Sequence, residues 1–157
     1  MLTPEDVGSK IVNAIKDRLN FRNKNWLCVV CGETGSGKSY SAISFGSMIG
    51  RTFIVFTPLE FLELLNSGKI KKGDVIIFDE AGVGLSARRW QSEQNIVMGS
   101  VLQTFRHMNI AVIFTVPNLS FVDVQARKLF HMIMETESID YERQSLRNKR
   151  LHLKNHI

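Results

Sequence analysis

The segment "GETGSGKS", Gly32 to Ser39, matches the pattern G-x-x-x-x-G-K-[ST] in full. It follows an apolar run that reads as a strand and precedes a stretch that reads as a helix, the context in which this pattern binds phosphate. Glycines at 32, 35 and 37 let the backbone curl so that its N–H groups point inward at phosphate oxygens, and the helix behind them adds its positive end. Glu33, Thr34, Ser36 and Tyr40 complete the stretch expected to surround the phosphates. Lys38 is expected to reach the β- and γ-phosphates, and the Ser39 hydroxyl to ligate Mg²⁺. A glycine-rich turn with no ligand is the alternative; the agreement of motif and context argues against it.

A second segment, "DVIIFDEAG", begins as an oily strand and ends on two carboxylates, Asp79 and Glu80. Two acids at the edge of a buried strand are electrostatically poor alone, and a metal–phosphate site supplies a reason for them. Asp79 is expected to hold the Mg²⁺ directly or through water. Glu80, pointing to the other side, is expected to orient or deprotonate an attacking water. The bland alternative is a solvated acidic pair opening a loop. GTP switches carry an Asn-Lys-x-Asp element that this sequence lacks, and small-molecule kinases generally do not need a water-activating glutamate here. ATP hydrolysis is therefore favoured over transfer to a metabolite.

These residues need a scaffold, and the patterning describes one. Thr3-Pro4-Glu5-Asp6 is a helix start, after which Val7, Ile11, Ile15 and Leu19 recur every fourth residue up to "NFRNKN". From residue 26 onward strands ("WLCVVCG", "TFIVF", "DVIIFDE", "IAVIFTV", "HMIMETE") alternate with helices ("KSYSAISFGSMI", "PLEFLELLNSG", a long one bearing Val97, Met98, Val101, Leu102 and Phe105, and a short one around "VDVQARKLF"). This alternation predicts a mostly parallel sheet with helices on both faces. The end, "RLHLK", alternates polar and apolar as an exposed edge strand or the arm of a hairpin does. One domain is expected over 1–157: a helix and lead-in at 1–25, a nucleotide-binding core at 26–137, and a basic strand region at 138–157.

Composition narrows the class. The 157 residues are 44% apolar and 22% charged, an ordinary globular balance. No stretch approaches the roughly 18 continuous apolar residues of a membrane span, and no secretory signal opens the chain, so an intracellular, cytoplasmic protein is expected. All 15 acids lie at or before Glu142, as do 15 of the 20 bases, so the net charge of +5 is carried by Arg143, Arg147, Lys149, Arg150 and Lys154. Clustered cations of this kind suit nucleic-acid phosphates or form a solvated basic edge, and both readings stay open. The lysines of "GKIKKGD", Lys69, Lys71 and Lys72, read as a solvated loop on the edge away from the phosphate site. Cys28 and Cys31 are spaced C-x-x-C, but His107, His131, His152 and His156 show no paired ligand spacing to complete a zinc site. Buried structural thiols are expected.

With "GETGSGKS", "VIIFDEAG" and "VLQTFRHMNIAVIFTVPNLSFVDVQAR" in view, the chain resembles the additional-strand, catalytic-glutamate division of phosphate-loop ATPases. Within it, the chain resembles the FtsK-HerA superfamily of DNA pumps and the related zonula-occludens-toxin-like ATPases of viruses and plasmids, over roughly residues 26 to 135. The resemblance implies a single RecA-like domain that works as an ATP-driven motor in a homo-oligomeric ring, a hexamer being one such assembly, on DNA in the host cytoplasm. Such families place an arginine just before the strand that follows the Asp-Glu strand, and Arg106 matches that position. There it either completes a neighbouring subunit's site or caps helix-end carbonyls. One departure stands out: the family carries Thr-Gln at the end of the next strand, the glutamine sensing γ-phosphate, where this chain reads Thr115-Val116-Pro117. Val116 cannot hydrogen-bond a phosphate, so Thr115 or Asn118 takes the role or the sensing is weaker. Arg88, Arg89 and Trp90 face DNA, contact the next subunit's nucleotide, or cover a helix start. Three functions compete: a motor ATPase on nucleic acid, a nucleotide-gated binding or assembly factor with little turnover, and a small-molecule kinase.

Overall fold

The computed structural model describes residues 4–79, 92, 108–122, 124–140 and 145–153, with side chains described outside 4–7, 125–126, 138–140 and 145–153. Its elements run α1 (Pro4–Asn20), β1 (Trp26–Cys31), α2 (Lys38–Ile49), β2 (Thr52–Val55), α3 (Pro58–Asn66), β3 (Val75–Phe78), β4 (Ala111–Val116), a 3-10 turn (Leu119–Phe121), α4 (Val124–Arg127), β5 (Met132–Asp140) and β6 (Ser145–Leu153). The strands form one sheet in the order β2-β3-β4-β1-β5-β6. The first five are parallel, and β6 closes the edge antiparallel to β5. This is the α/β architecture that the alternation predicts. The expected long helix bearing Val97 to Phe105 lies outside the described residues.

Every residue of β1, β3 and β4 is buried, as strands covered on both faces require. Strand alternation divides the core in two. On one face Val12, Ile15 and Leu19 of α1 and Ala42 and Ile49 of α2 meet Cys28, Val30, Ile77 and Ile113. On the other, Phe61 and Leu65 of α3 join Val29, Cys31, Phe78, Phe114 and Phe130. There Phe61, Phe78, Phe114 and Phe130 form a chain of ring contacts at centroid separations of 6.4, 5.9 and 5.6 Å. Truncating one such ring costs about 3–5 kcal/mol. Cys28 and Cys31 fall on opposite faces because three residues along a strand is an odd step, so they share neither a disulfide nor a ligand.

Local signals start and stop the elements. Pro58 opens α3, and Thr57 precedes it with a capping box: the Thr57 hydroxyl accepts from the Glu60 N–H, and the Glu60 carboxylate accepts from the Phe56 and Thr57 N–H groups. Ser67 is the C-cap, and Gly68 follows at φ 70° in the left-handed region. The lysine-bearing turn before β3 lies at the amino ends of the strands, where the Lys72 ammonium donates to Asn23 Oδ1 at 2.6 Å. At the other edge, β6 begins at Ser145, five residues before the alternating "RLHLK". Residues 145–149 become strand through pairing with the long β5, which runs on to Asp140 through residues 137 and 138. No helix among the described residues is long and apolar enough to cross a membrane.

Candidate functional site

The carboxyl ends of β1, β3, β4 and β5 bring the site together. Between β1 and α2, Gly35 (φ 80°) and Gly37 (φ 85°) occupy the left-handed region, where glycine alone is free of Cβ strain. Gly32 answers a different need: a Cβ there would run into the Thr136 hydroxyl and carbonyl on β5. The Ser36 N–H donates to the Glu33 carbonyl at 3.1 Å and tightens the turn, while Glu33, Thr34 and Gly35 stay exposed. Helix α2 then starts without a side-chain cap and without an acid in its first turn, leaving its positive end for an anion. Lys38 is buried, its ammonium folded back to donate to the Glu33 carbonyl at 2.9 Å. Tyr40 is exposed on α2.

Asp79 directly follows β3. In the sheet, β4 lies between β3 and β1, the strand that leads into the glycine-rich loop. Asp79 meets the loop because α2 leans across the sheet towards β3. Gly46 permits this lean, since a Cβ there would already sit 3.3 Å from Val75 and 3.5 Å from Ile77. The Ser39 hydroxyl donates to Asp79 Oδ1 at 2.9 Å. The Thr115 hydroxyl, reaching from the intervening β4, donates to the same oxygen at 2.6 Å.

Thr115 is fully buried on the α2 face. Val116, one residue on, enters the opposite core with Phe114, so that position offers the loop no polar group. Asn118 is engaged elsewhere, its Oδ1 accepting from the Ser120 N–H at 2.9 Å to cap the 3-10 turn. Glu80, Arg88, Arg89, Trp90 and Arg106 lie outside the described residues, as do Arg143 and Lys154. Arg147, Lys149 and Arg150 belong to β6 at the sheet edge.

The donor set suits Mg²⁺: a hydroxyl and a carboxylate oxygen, both hard ligands, stand side by side at the loop. Among the described residues no ion pair involves Lys38 or Asp79. Beside Gly32, on the β5 side, opens a cleft of about 450 Å³ whose lining includes Glu33, Asn118, Glu135 and Glu137. Three carboxylates make it a poor host for phosphate, which confines an anion to the Lys38 side. Burial, and then the Glu135 carboxylate, raise the Cys31 thiol above its usual range, against the pull of a backbone hydrogen bond and Lys38. Burial and Cys31 push Cys28 up further, so both thiols stay protonated.

Sequence reasoning missed Thr136. Its hydroxyl lies 2.6 Å from that of Ser36, both side chains buried. The signal was present: Met132 and Met134 face α2, and a period of two puts Thr136 on the same side.

A family model described as zonular occludens toxin (Zot) matches residues 58–140, a span holding Asp79, Thr115 and Thr136 but not the glycine-rich loop. No curated protein matches the sequence. Among solved structures, the Thermotoga maritima RuvB Holliday junction branch migration motor is similar at 16% identity and TM-score 0.56, over 85% of this chain and 45% of that one. A katanin structure is similar at 14% identity and TM-score 0.56, over 86% and 51%. The FIGL-1 AAA domain in complex with ADP gives 13% identity and TM-score 0.57, over 85% and 53%. The chain thus spans about half the length of these structures, and at such identities the likeness is one of fold, that of a P-loop ATPase domain.

Proposed function

The chain belongs to the zonular occludens toxin (Zot) family of P-loop ATPases, and from that premise we propose that it hydrolyses ATP with Mg²⁺ in an oligomeric motor acting on nucleic acid. The observation that carries the nucleotide reading is the convergence of Ser39 and Thr115 on one oxygen of Asp79, beside the Lys38 loop. Lys38 and the open end of α2 bind the triphosphate, and Ser39 and Asp79 hold the ion. Mg²⁺, when bound with nucleotide, neutralises charge on the β- and γ-phosphates. Thr115 donates to Asp79 and so fixes which way the carboxylate faces. Glu80, the next residue, prepares the attacking water.

The strand inserted between β1 and β3 supports the additional-strand division of these ATPases. The FtsK-HerA assignment rests on the sequence motifs alone. DNA as partner is supported by the concentration of the whole net charge after Glu142, in and around the edge strand β6. Arg106 is assigned to the neighbouring subunit's nucleotide, where a guanidinium offsets transition-state charge.

Steady-state phosphate release with and without double-stranded DNA, on wild type and Glu80→Gln, tests the whole. The expected result is Mg²⁺-dependent turnover, raised by DNA and abolished by the substitution. Turnover indifferent to Glu80→Gln sinks the hydrolytic assignment; turnover indifferent to DNA sinks the partner. One observation favours a second reading, a nucleotide-gated binding factor: Val116 points into the core where the pumps have a phosphate-sensing glutamine. That reading predicts tight ATP binding with negligible turnover.

A further inference from the structure

Thr136 touches the phosphate loop at two points. Its hydroxyl donates to the Cys31 carbonyl, where the loop begins, at 3.3 Å, and meets the Ser36 hydroxyl, in the loop's middle, at 2.6 Å. One hydroxyl proton serves one acceptor, so a Thr136 that donates to Cys31 accepts from Ser36, and the three groups form a directed chain. Both residues are buried, each 4% exposed. An apolar pair would fill the space without the desolvation cost, so stability alone does not account for them; what hydroxyls add is direction.

The chain bears on chemistry through covalent neighbours. Ser36 is followed by Gly37 in the left-handed region and by Lys38, whose ammonium returns to the Glu33 carbonyl. Holding Ser36 therefore holds the backbone that sets Lys38. Thr136 is itself placed by the hairpin. Pairing of β5 with β1 ends at Cys31 and Glu135, and register shifts flank Thr136 on both sides. Glu135 pairs with Arg150, Thr136 with Asn148 and Ser138 with Arg147, so Lys149 and Glu137 are left unmatched. Such bulges re-aim a strand, and this one sits where β5 leaves the parallel sheet.

We propose that Thr136 is a positioning residue for the phosphate loop, so that the β5–β6 hairpin, 100 residues further along the chain, is part of the nucleotide site. This rests on the ATP reading above. Through the Thr136–Ser36 contact, the position of the basic hairpin sets the shape of the loop.

The test measures binding of a fluorescent N-methylanthraniloyl-ATP with Mg²⁺ to the full chain, alongside thermal unfolding, for wild type, Lys38→Ala, Thr136→Val, Thr136→Ser, Ser36→Ala and Ser36→Ala/Thr136→Val. Thr136→Val keeps the volume and removes the hydroxyl; it is expected to weaken binding about threefold to tenfold, the loss of one hydrogen bond, and to lower the unfolding midpoint, since the buried Ser36 hydroxyl loses its partner. Thr136→Ser is expected to restore wild-type affinity. The double variant is expected to bind no worse than the weaker single, since both remove the same contact. Should Thr136→Val fail to fold, Ser36→Ala carries the comparison against Thr136→Ser. Wild-type affinity in both Thr136→Val and Ser36→Ala, or full additivity in the double, overturns the inference while leaving the ATP reading intact, provided Lys38→Ala has lost binding. Binding absent from wild type, or unaffected by Lys38→Ala, overturns both.

Discussion

The two ends of the sheet treat charge in opposite ways. At the amino ends, Asp74 is buried and its carboxylate accepts from Arg51 Nε at 3.3 Å, Arg51 Nη2 at 2.7 Å and the Lys71 N–H at 2.7 Å. The Asp74 hydrogen bonds hold the Arg51 guanidinium above even its ordinary pKa. Gly50 lies so close to the Gly73 carbonyl that a Cβ has no room, and the Gly73 N–H donates to the Asn109 carbonyl at 3.0 Å. At the carboxyl ends, among the described residues, the Asp79 carboxylate receives two hydroxyls and the Lys38 ammonium donates to a backbone carbonyl. Among the described residues, the buried acid of one end is ion-paired and the acid of the other is not. On the proposed function, Asp79 and Lys38 stand where a metal ion and a phosphate would complete them.

Substitutions that separate affinity from stability can break this contrast. The largest effect is expected from Asp79→Asn, in which the amide oxygen still accepts from Ser39 and Thr115 but the charge facing the metal is gone. Turnover should fall about a hundredfold or more, with an unchanged unfolding midpoint, read by phosphate release and calorimetry on the same samples. A comparable loss of stability would mean that this end, too, is structural. Next comes Asp74→Ala, which strips the half-buried Lys71 N–H and the Arg51 fork of their acceptor. Urea unfolding should show about 1–3 kcal/mol of lost stability, while ATP affinity holds. Reduced affinity there would show the two ends to be coupled.

The smallest effect concerns the thiols between the two ends. Both have raised values in the fold, whereas unfolded cysteine ionises near about pH 8.5. Above that value the unfolded chain releases protons that the folded chain retains, so stability falls as pH rises; below it the thiols contribute no slope. Unfolding of wild type and Cys28→Ala, compared from pH 7 to 10, should run parallel at first, with wild type losing ground only in the alkaline range. Parallel curves throughout would mean that Cys28 reaches solvent in the folded state.

Much of this was legible in one dimension because its signals are local. Gly32 to Ser39 is a contiguous motif, Pro58 and Gly68 bracket α3, and the β1, β3 and β4 runs are apolar without interruption. Where local pattern was thin, legibility failed. The Thr57–Glu60 capping box is a quieter signal than Pro58, and residues 145–149 carry no alternation of their own. Strand order is invisible in local pattern: β4, which follows β3 in sequence, lies between β3 and β1 in the sheet.

By itself, then, the sequence determined the class of fold, the glycine-rich loop and the acid that follows β3, since each is written in a local pattern. Only the tertiary structure decided that Thr115 orients Asp79, that Val116 points away from the loop, and that Gly32 is small because Thr136 lies against it. A hydroxyl carries no record of its partner, and a hydrogen bond across a hundred residues exists only once the sheet has set both ends within 2.6 Å.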